Sequence, residues 1–314
     1  MVRMTVLASG SRGNSTVVSS TRTRILVDAG VSCRELFKRM QAAGEDPRTL
    51  DAILVTHEHQ DHVQGLAVTA RKLGIPVYFT ESTHRAWIRW ITPRKRMTYA
   101  EWLAERKQQA TAQTAAPVNP EIEEQEAFEE EQETLCSDET KAKADPAALP
   151  GVEYFTAGQG FSVGDIAVTP FTIPHDAADP VGFVFEAEGV RIGLATDLGY
   201  MPAHAAMRLR RCDVLMLESN HDLDMLRDGP YPWSVKQRVL SRVGHLSNAD
   251  LAEFFCNDYD GRAAYLILAH LSESNNLPEL ARVSAERALR DRMSLLGNRV
   301  LLATQDEPLA SILL

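Results

Sequence analysis

The sequence predicts an α/β fold in which two sheets pack together with helices outside. Three observations predict it. Short apolar runs suited to buried strands recur in both halves of the chain. Stretches with apolar residues at helical spacing separate them. Sharp turns carrying His and Asp come after several of the strand-like runs, and no internal repeat at a fixed period competes with this reading.

Taken in order, residues 4–8 and 16–19 read as strands joined by Ser9-Gly10-Ser11-Arg12-Gly13-Asn14-Ser15. A Gly/Ser turn is the preferred reading of that linker, whose hydroxyl and backbone donors can also touch phosphate. Residues 23–27 form a third strand ending at Asp28-Ala29-Gly30, where Asp28 is expected to be a buried turn-former that organises a neighbouring site from behind. Leu36, Phe37 and Met40 recur at helical spacing over 33–43, with Gly44 just past the end. An apolar strand over 52–56 leads into a histidine-rich run. Next come a helix over 63–73, a strand over 75–80 and a helix over 82–91. Further strands are expected near 152–155, 161–163 and 166–172, then a hairpin of 181–186 and 190–195 turned at Glu188-Gly189. The runs 214–218 and 264–268 suit buried strands, and helices fill 203–210, 233–243, 248–257 and 277–292.

The chain of 314 residues, 44% hydrophobic, can bury one large core, and a single domain over 1–314 is expected. Residues 93–150 stand apart as an inserted arm. They pass from basic to Gln/Ala/Thr-rich to strongly acidic, and such like-charge runs stay solvated, so most of the arm is expected to be disordered. Ten acidic residues and no Lys or Arg lie between Asn119 and Glu139; without them 33 acidic residues face 33 basic ones. The net charge of −10 therefore does not exclude a nucleic-acid substrate. No apolar window reaches the ~18 residues of a membrane span. The first residues lack a signal-peptide pattern, and the four cysteines are scattered without paired spacing. A cytoplasmic protein without a disulfide framework is the expectation.

His57-Glu58-His59-Gln60-Asp61-His62 is the most informative stretch. Four metal-capable side chains crowd into six residues where an apolar strand ends. In a turning segment alternate residues point the same way, so His57 and His59 converge while Asp61 and His62 swing past. Three further ligand types come after apolar runs in the same manner: His175, Asp197 and His270. Each alone also reads as a satisfied core residue. Together with the first run they sum to a two-ion site. His57, His59 and His175 can take one ion, Asp61, His62 and His270 the second, with Asp197 bridging. Two divalent ions so placed activate water and clamp the oxygens of a phosphoryl centre. Mixed imidazole and carboxylate ligands favour zinc, with manganese possible.

The chain thus resembles a metallo-β-lactamase-fold hydrolase, whose ligand order is HxHxDH and then spaced His, Asp and His. The fold implied is a four-layer αββα sandwich of two mixed sheets. The opening Ala8–Ser15, Thr56–His62, Pro174-His175-Asp176-Ala177, Thr196-Asp197-Leu198-Gly199, Leu217–Asp222, Gly229–Trp233, Gly244–Asn248 and Ala269–Glu273 resemble the YycJ/WalJ-type branch. That likeness covers the chain apart from about 93–150. It implies a metal-dependent phosphodiesterase on nucleic acid, DNA favoured over RNA, acting as a 5′ to 3′ DNA exonuclease. Only 73 positions separate Asp197 from His270 and 22 separate His175 from Asp197, too few for the extra domain or arm of some related nucleases.

The resemblance also implies that His245 sits against the scissile phosphate, where it can donate a proton to the leaving oxygen. It equally reads as a helix-entry residue, since Ser247 or Asn248 can cap the next helix. Asp61 is expected to orient the attacking water besides ligating. A structural hydrogen bond is expected of His221. Arg85, Arg89, Arg94, Lys95 and Arg96 with Trp87 and Trp90 form either a nucleic-acid patch or an amphipathic helix with Trp in the core. Rival functions are a hydrolase of a small substrate (cyclic phosphodiester, thioester or lactam) and a non-catalytic metal-binding regulatory module.

Overall fold

The computed structural model describes residues 1–92, 145–290 and 298–314. The chain divides into one compact unit, Met1–Arg89 with Ala147–Leu314, and a second, Trp90–Pro146. Of the expected arm 93–150, residues 93–144 lie outside the described part, as do Arg94, Lys95 and Arg96.

Two seven-stranded mixed sheets form the larger unit. The first contains β1 (Arg3–Ala8), β2 (Ser15–Ser19), β3 (Arg24–Val27), β4 (Ala52–Leu54), β5 (Val77–Phe79) and β6 (Val152–Tyr154). The second contains β7 (Phe161–Val163), β8 (Ile166–Thr172), β9 (Val181–Ala187), β10 (Val190–Ala195), β11 (Val214–Glu218), β12 (Tyr265–Ala269) and β13 (Arg299–Leu302). The last strand, β14 (Ile312–Leu313), returns to pair antiparallel with β1. Each sheet begins as an antiparallel meander and continues with parallel strands, from β3 onward in the first sheet and from β10 onward in the second. The hairpin between β9 and β10 turns at Glu188 and Gly189, with φ of 50° and 81°. Two positive φ values are what a two-residue turn needs to match strand twist.

The period of two along the central strands explains the layers. Val214 and Met216 of β11 point into the core between the sheets, while Leu215 and Leu217 point to the helices. Ile267 and Leu266 of β12 divide in the same way. The outer helices are α1 (Cys33–Ala42), α2 (Gln60–Val63), α3 (Leu66–Leu73), α4 (Glu81–Ile91), α5 (Ala203–Arg208), α6 (Leu223–Asp228), α7 (Trp233–Val239), α8 (Asn248–Asn257) and α9 (Pro278–Leu289). Trp87 of α4 is buried against Phe79, so it serves the core and not a nucleic-acid patch. The expected helix over 63–73 is two helices broken at Gly65, and α6, β13 and β14 were not among the expected elements. Among the described residues no helix is long and apolar enough to cross a membrane.

Candidate metal centre

Strand direction gathers the site. β10, β11 and β12 run parallel, and two antiparallel steps leave β8 pointing the same way. His175, Asp197, Glu218 and His270 stand at or just past their carboxyl ends, and therefore lie along one edge of the second sheet. β3 and β4 are likewise parallel, and Asp28 and His57 come after them. Three of these strand-end residues, Asp28, Asp197 and His270, adopt left-handed backbone with φ of 59°, 60° and 53°. Non-glycine residues there carry strain of order 1 kcal/mol or more that the surrounding structure must hold.

The histidine run is fixed by its neighbours. Asn14 N donates to Asp61 O (2.7 Å), Ala29 N to His62 O (2.8 Å) and Gly65 N to Ala29 O (2.8 Å). This lacing requires glycine: a Cβ on Gly30 would fall 1.7 Å from the Asp61 carbonyl oxygen, and one on Gly65 2.1 Å from that of Val31. The Ser9–Ser15 linker also reaches the site, with Asn14 Nδ2 3.0 Å from His62 Nε2 and Ser9 Oγ accepting from His270 N at 2.8 Å.

All seven expected ligands come together. His57, His59 and His175 have ligand atoms within 4.8 Å of one another, and so do Asp61, His62, Asp197 and His270. A third such group, Asp197, Glu218, His245 and His270, shares two members with the second. Outer partners turn one ring nitrogen away and leave the other facing inward. His62 Nδ1 donates to Asp28 Oδ2 (2.8 Å), and the same carboxylate accepts from Thr56 N and Thr56 Oγ1. His57 Nδ1 lies 3.0 Å from Thr56 Oγ1, and His175 Nδ1 3.1 Å from Gly244 O. Inside, His57 Nε2 is buried with no hydrogen-bond partner among the described residues, and His175 Nε2 lies 3.2 Å from His59 Nδ1. His62 Nε2 lies 3.3 Å from Asp197 Oδ2. Converging imidazole nitrogens beside buried carboxylates are a donor set that fits divalent cations.

Electrostatics arise from burial and proximity. Burial pushes His57 well below its ordinary pKa, helped by His62. Burial opposes charge on His62, yet Asp197, Asp61 and Asp28 outweigh it and raise that histidine well above its ordinary value. Asp197 is held well below the usual carboxylate range: burial works against ionisation, but His270, His62 and His57 overcome it.

Glu218 is the functional candidate that sequence reasoning does not single out. Its Oε1 accepts from His245 Nδ1 (2.8 Å) and His270 Nδ1 (2.9 Å), and its Oε2 from the backbone of Leu198 (2.8 Å) and Leu246 (3.2 Å). Burial works against its ionisation, yet His245 and these bonds bring its pKa down to about 2. The available signal is the one that exposes its neighbours, a polar residue closing an apolar strand. His245 lines the same cavity of about 250 Å³ as His59, Asp61, Asp197 and His270. Ser247 caps α8 by accepting from Asp250 N, so the helix-entry reading of that segment holds. The hydrogen bond expected of His221 is absent: the ring is buried and neither nitrogen has a partner among the described residues.

The model of the "Metallo-beta-lactamase superfamily" matches residues 8–233. The chain belongs to this superfamily. Within the metallo-beta-lactamase superfamily it is 32% identical over 291 residues to "Exodeoxyribonuclease YycJ" of Bacillus anthracis, covering 93% of this chain and 90% of that one. It is 32% identical over 282 residues to "Exodeoxyribonuclease WalJ" of Streptococcus pneumoniae, covering 90% and 86%. This places it in the YycJ/WalJ branch. The solved structure of the metallo-beta-lactamase fold protein YhfI from Bacillus subtilis superposes over 98% of both chains with a TM-score of 0.60 at 14% identity, which shows the shared fold.

Proposed function

We propose that this metallo-beta-lactamase-fold protein is a dimetal phosphodiesterase that degrades DNA from its 5′ end. The observation that carries the reading is the pairing of two ligand clusters with a cavity onto which a carboxylate-held histidine opens. His57, His59 and His175 would hold one ion, Asp61, His62 and His270 the other, and Asp197 both. The mixed N/O donors favour zinc, and manganese is compatible with them. Bound there, divalent ions would lower the pKa of water and take up charge developing on the phosphate.

The chain's own groups supply the rest. Asp61, held by Asn14 Nδ2 at 3.1 Å, orients the attacking water and accepts its proton. His245 keeps Nδ1 on Glu218, which leaves Nε2 to donate a proton to the leaving oxygen. Glu218 offsets the burial of His245 and raises its pKa, so the ring can be protonated when needed. DNA is favoured over RNA because two relatives matched over most of their length are named exodeoxyribonucleases. The test is digestion of end-labelled DNA and RNA with Zn²⁺ or Mn²⁺. Wild-type protein should release nucleotides from 5′ ends of DNA, and Asp61→Ala should lose roughly 10³-fold in kcat/KM while staying folded. Full activity in that variant would remove Asp61 from the mechanism.

A further inference from the structure

We propose, building on the phosphodiesterase reading, that Arg238 grips the non-bridging oxygens of the substrate phosphate. Asp176 holds it in place, and the pair makes the site selective for a phosphorus anion over a neutral acyl group.

Arg238 lines the same cavity as Asp61, Asp197 and His270, and among the described residues lining it there is no other Lys or Arg. Among the described residues its lining puts this one guanidinium beside two carboxylates and three imidazoles. Among the described residues that guanidinium is anchored at one corner. Its Nε donates to Asp176 Oδ2 at 2.5 Å, and its two terminal amino groups carry no hydrogen bond among the described residues. The side chain is 59% exposed, so those amino groups are open to a ligand. An exposed ion pair of this kind contributes little to folding, so stability does not explain why it stands at the cavity.

The anchor is tied to the metal centre. Asp176 is next to His175 in sequence, and its Oδ1 lies 3.5 Å from His175 Nε2. Its backbone N also donates to Val243 O, beside the Gly244 carbonyl that turns His175. The helix that carries Arg238 is fixed too. Tyr231, Val235 and Arg238 line the cavity at spacings of four and three, one face of α7 and its entry. Lys236, on the other side of α7, is buried and donates to Arg227 O at 2.7 Å. A guanidinium fork presents parallel N–H groups that match two oxygens of a phosphate, and a lysine cannot reproduce this. A thioester or lactam offers one weakly charged oxygen in the same place, so the fork gains less from it.

The experiment compares wild-type, Arg238→Ala and Arg238→Lys proteins on two oligonucleotides. One is native; the other has an uncharged methylphosphonate at its first linkage. Wild-type protein should cleave the native strand much faster than the neutral one. Arg238→Ala should lose roughly 10²-fold in kcat/KM on the native strand, and its native-to-neutral ratio should shrink by a similar factor. Arg238→Lys should recover part of the rate and less of the ratio. Fluorescence anisotropy of the same strands with metal-free protein gives a readout independent of turnover: Arg238→Ala should weaken native binding and leave neutral-strand binding unchanged. If Arg238→Ala keeps wild-type discrimination in both assays, the assignment of Arg238 is overturned while the nuclease reading stands. If wild-type protein cuts neither strand, the nuclease reading fails and this assignment falls with it.

Discussion

Glu218 holds two histidines by their Nδ1 atoms, one an expected ligand and one an expected acid. Its second oxygen is used up by backbone amides, so the carboxylate cannot swing away. Partners of this kind set ring orientation, and their loss costs about 10- to 100-fold in metal affinity or activity. Glu218→Gln should therefore lower both zinc affinity, read by chelator competition, and kcat on DNA. His221 is buried with both ring nitrogens unpartnered among the described residues. Burial brings its pKa down to about 4, against an ordinary value of 6.5. Between these values the unfolded chain binds more protons, so stability rises with pH across the window and falls as pH drops from 6.5 toward 4. The shift corresponds to about 3 kcal/mol at most. Urea midpoints of wild-type and His221→Leu proteins at pH 7 and pH 5 should show a smaller acid loss in the variant.

At the scale of elements, the site depends on backbone closeness as much as on side chains. The Gly30 loop touches the histidine run through its backbone, with no room for a Cβ against Asp61 O. Gly30→Ala should force the two loops apart, cost about 3 kcal/mol and weaken metal binding. Gly44 lies past α1 with open space around it and φ of 75°, so Gly44→Ala should cost about 1 kcal/mol and leave metal binding alone. Denaturant titrations of the two variants separate the cases. This contact was not legible in the sequence, because Gly30 and Asp61 are brought together only by the parallel pairing of β3 and β4. The strands themselves were legible, since runs buried on both faces read as continuous apolar stretches. The break at Gly65 is hidden because Val63, Leu66 and Ala70 keep a helical spacing across it. Strand β13 escapes notice because it is short and only partly buried, and α6 because its Asp222 cap is the main signal.

Across the whole molecule, two half-antiparallel, half-parallel sheets bring the ends of β4, β8, β10 and β12 to one place. The rule that polar ligands stand just past apolar strands finds His57, His175, Asp197 and His270 for this reason: strand ends point to the edge where a site can form. It does not find Arg238, which helix packing brings to the cavity, or the bonds of Glu218, whose partners come from separate segments. The lacing of both sheets through Val181 N to Thr56 O and His270 N to Ser9 Oγ makes the centre a property of the assembled sandwich. The seven side chains are proposed to hold a pair of cations. Metal content per chain, measured by mass spectrometry after stripping, zinc reloading and exhaustive dialysis, tests this most directly. Two zinc ions per chain is the predicted result; a wild-type protein that retains none would contradict it.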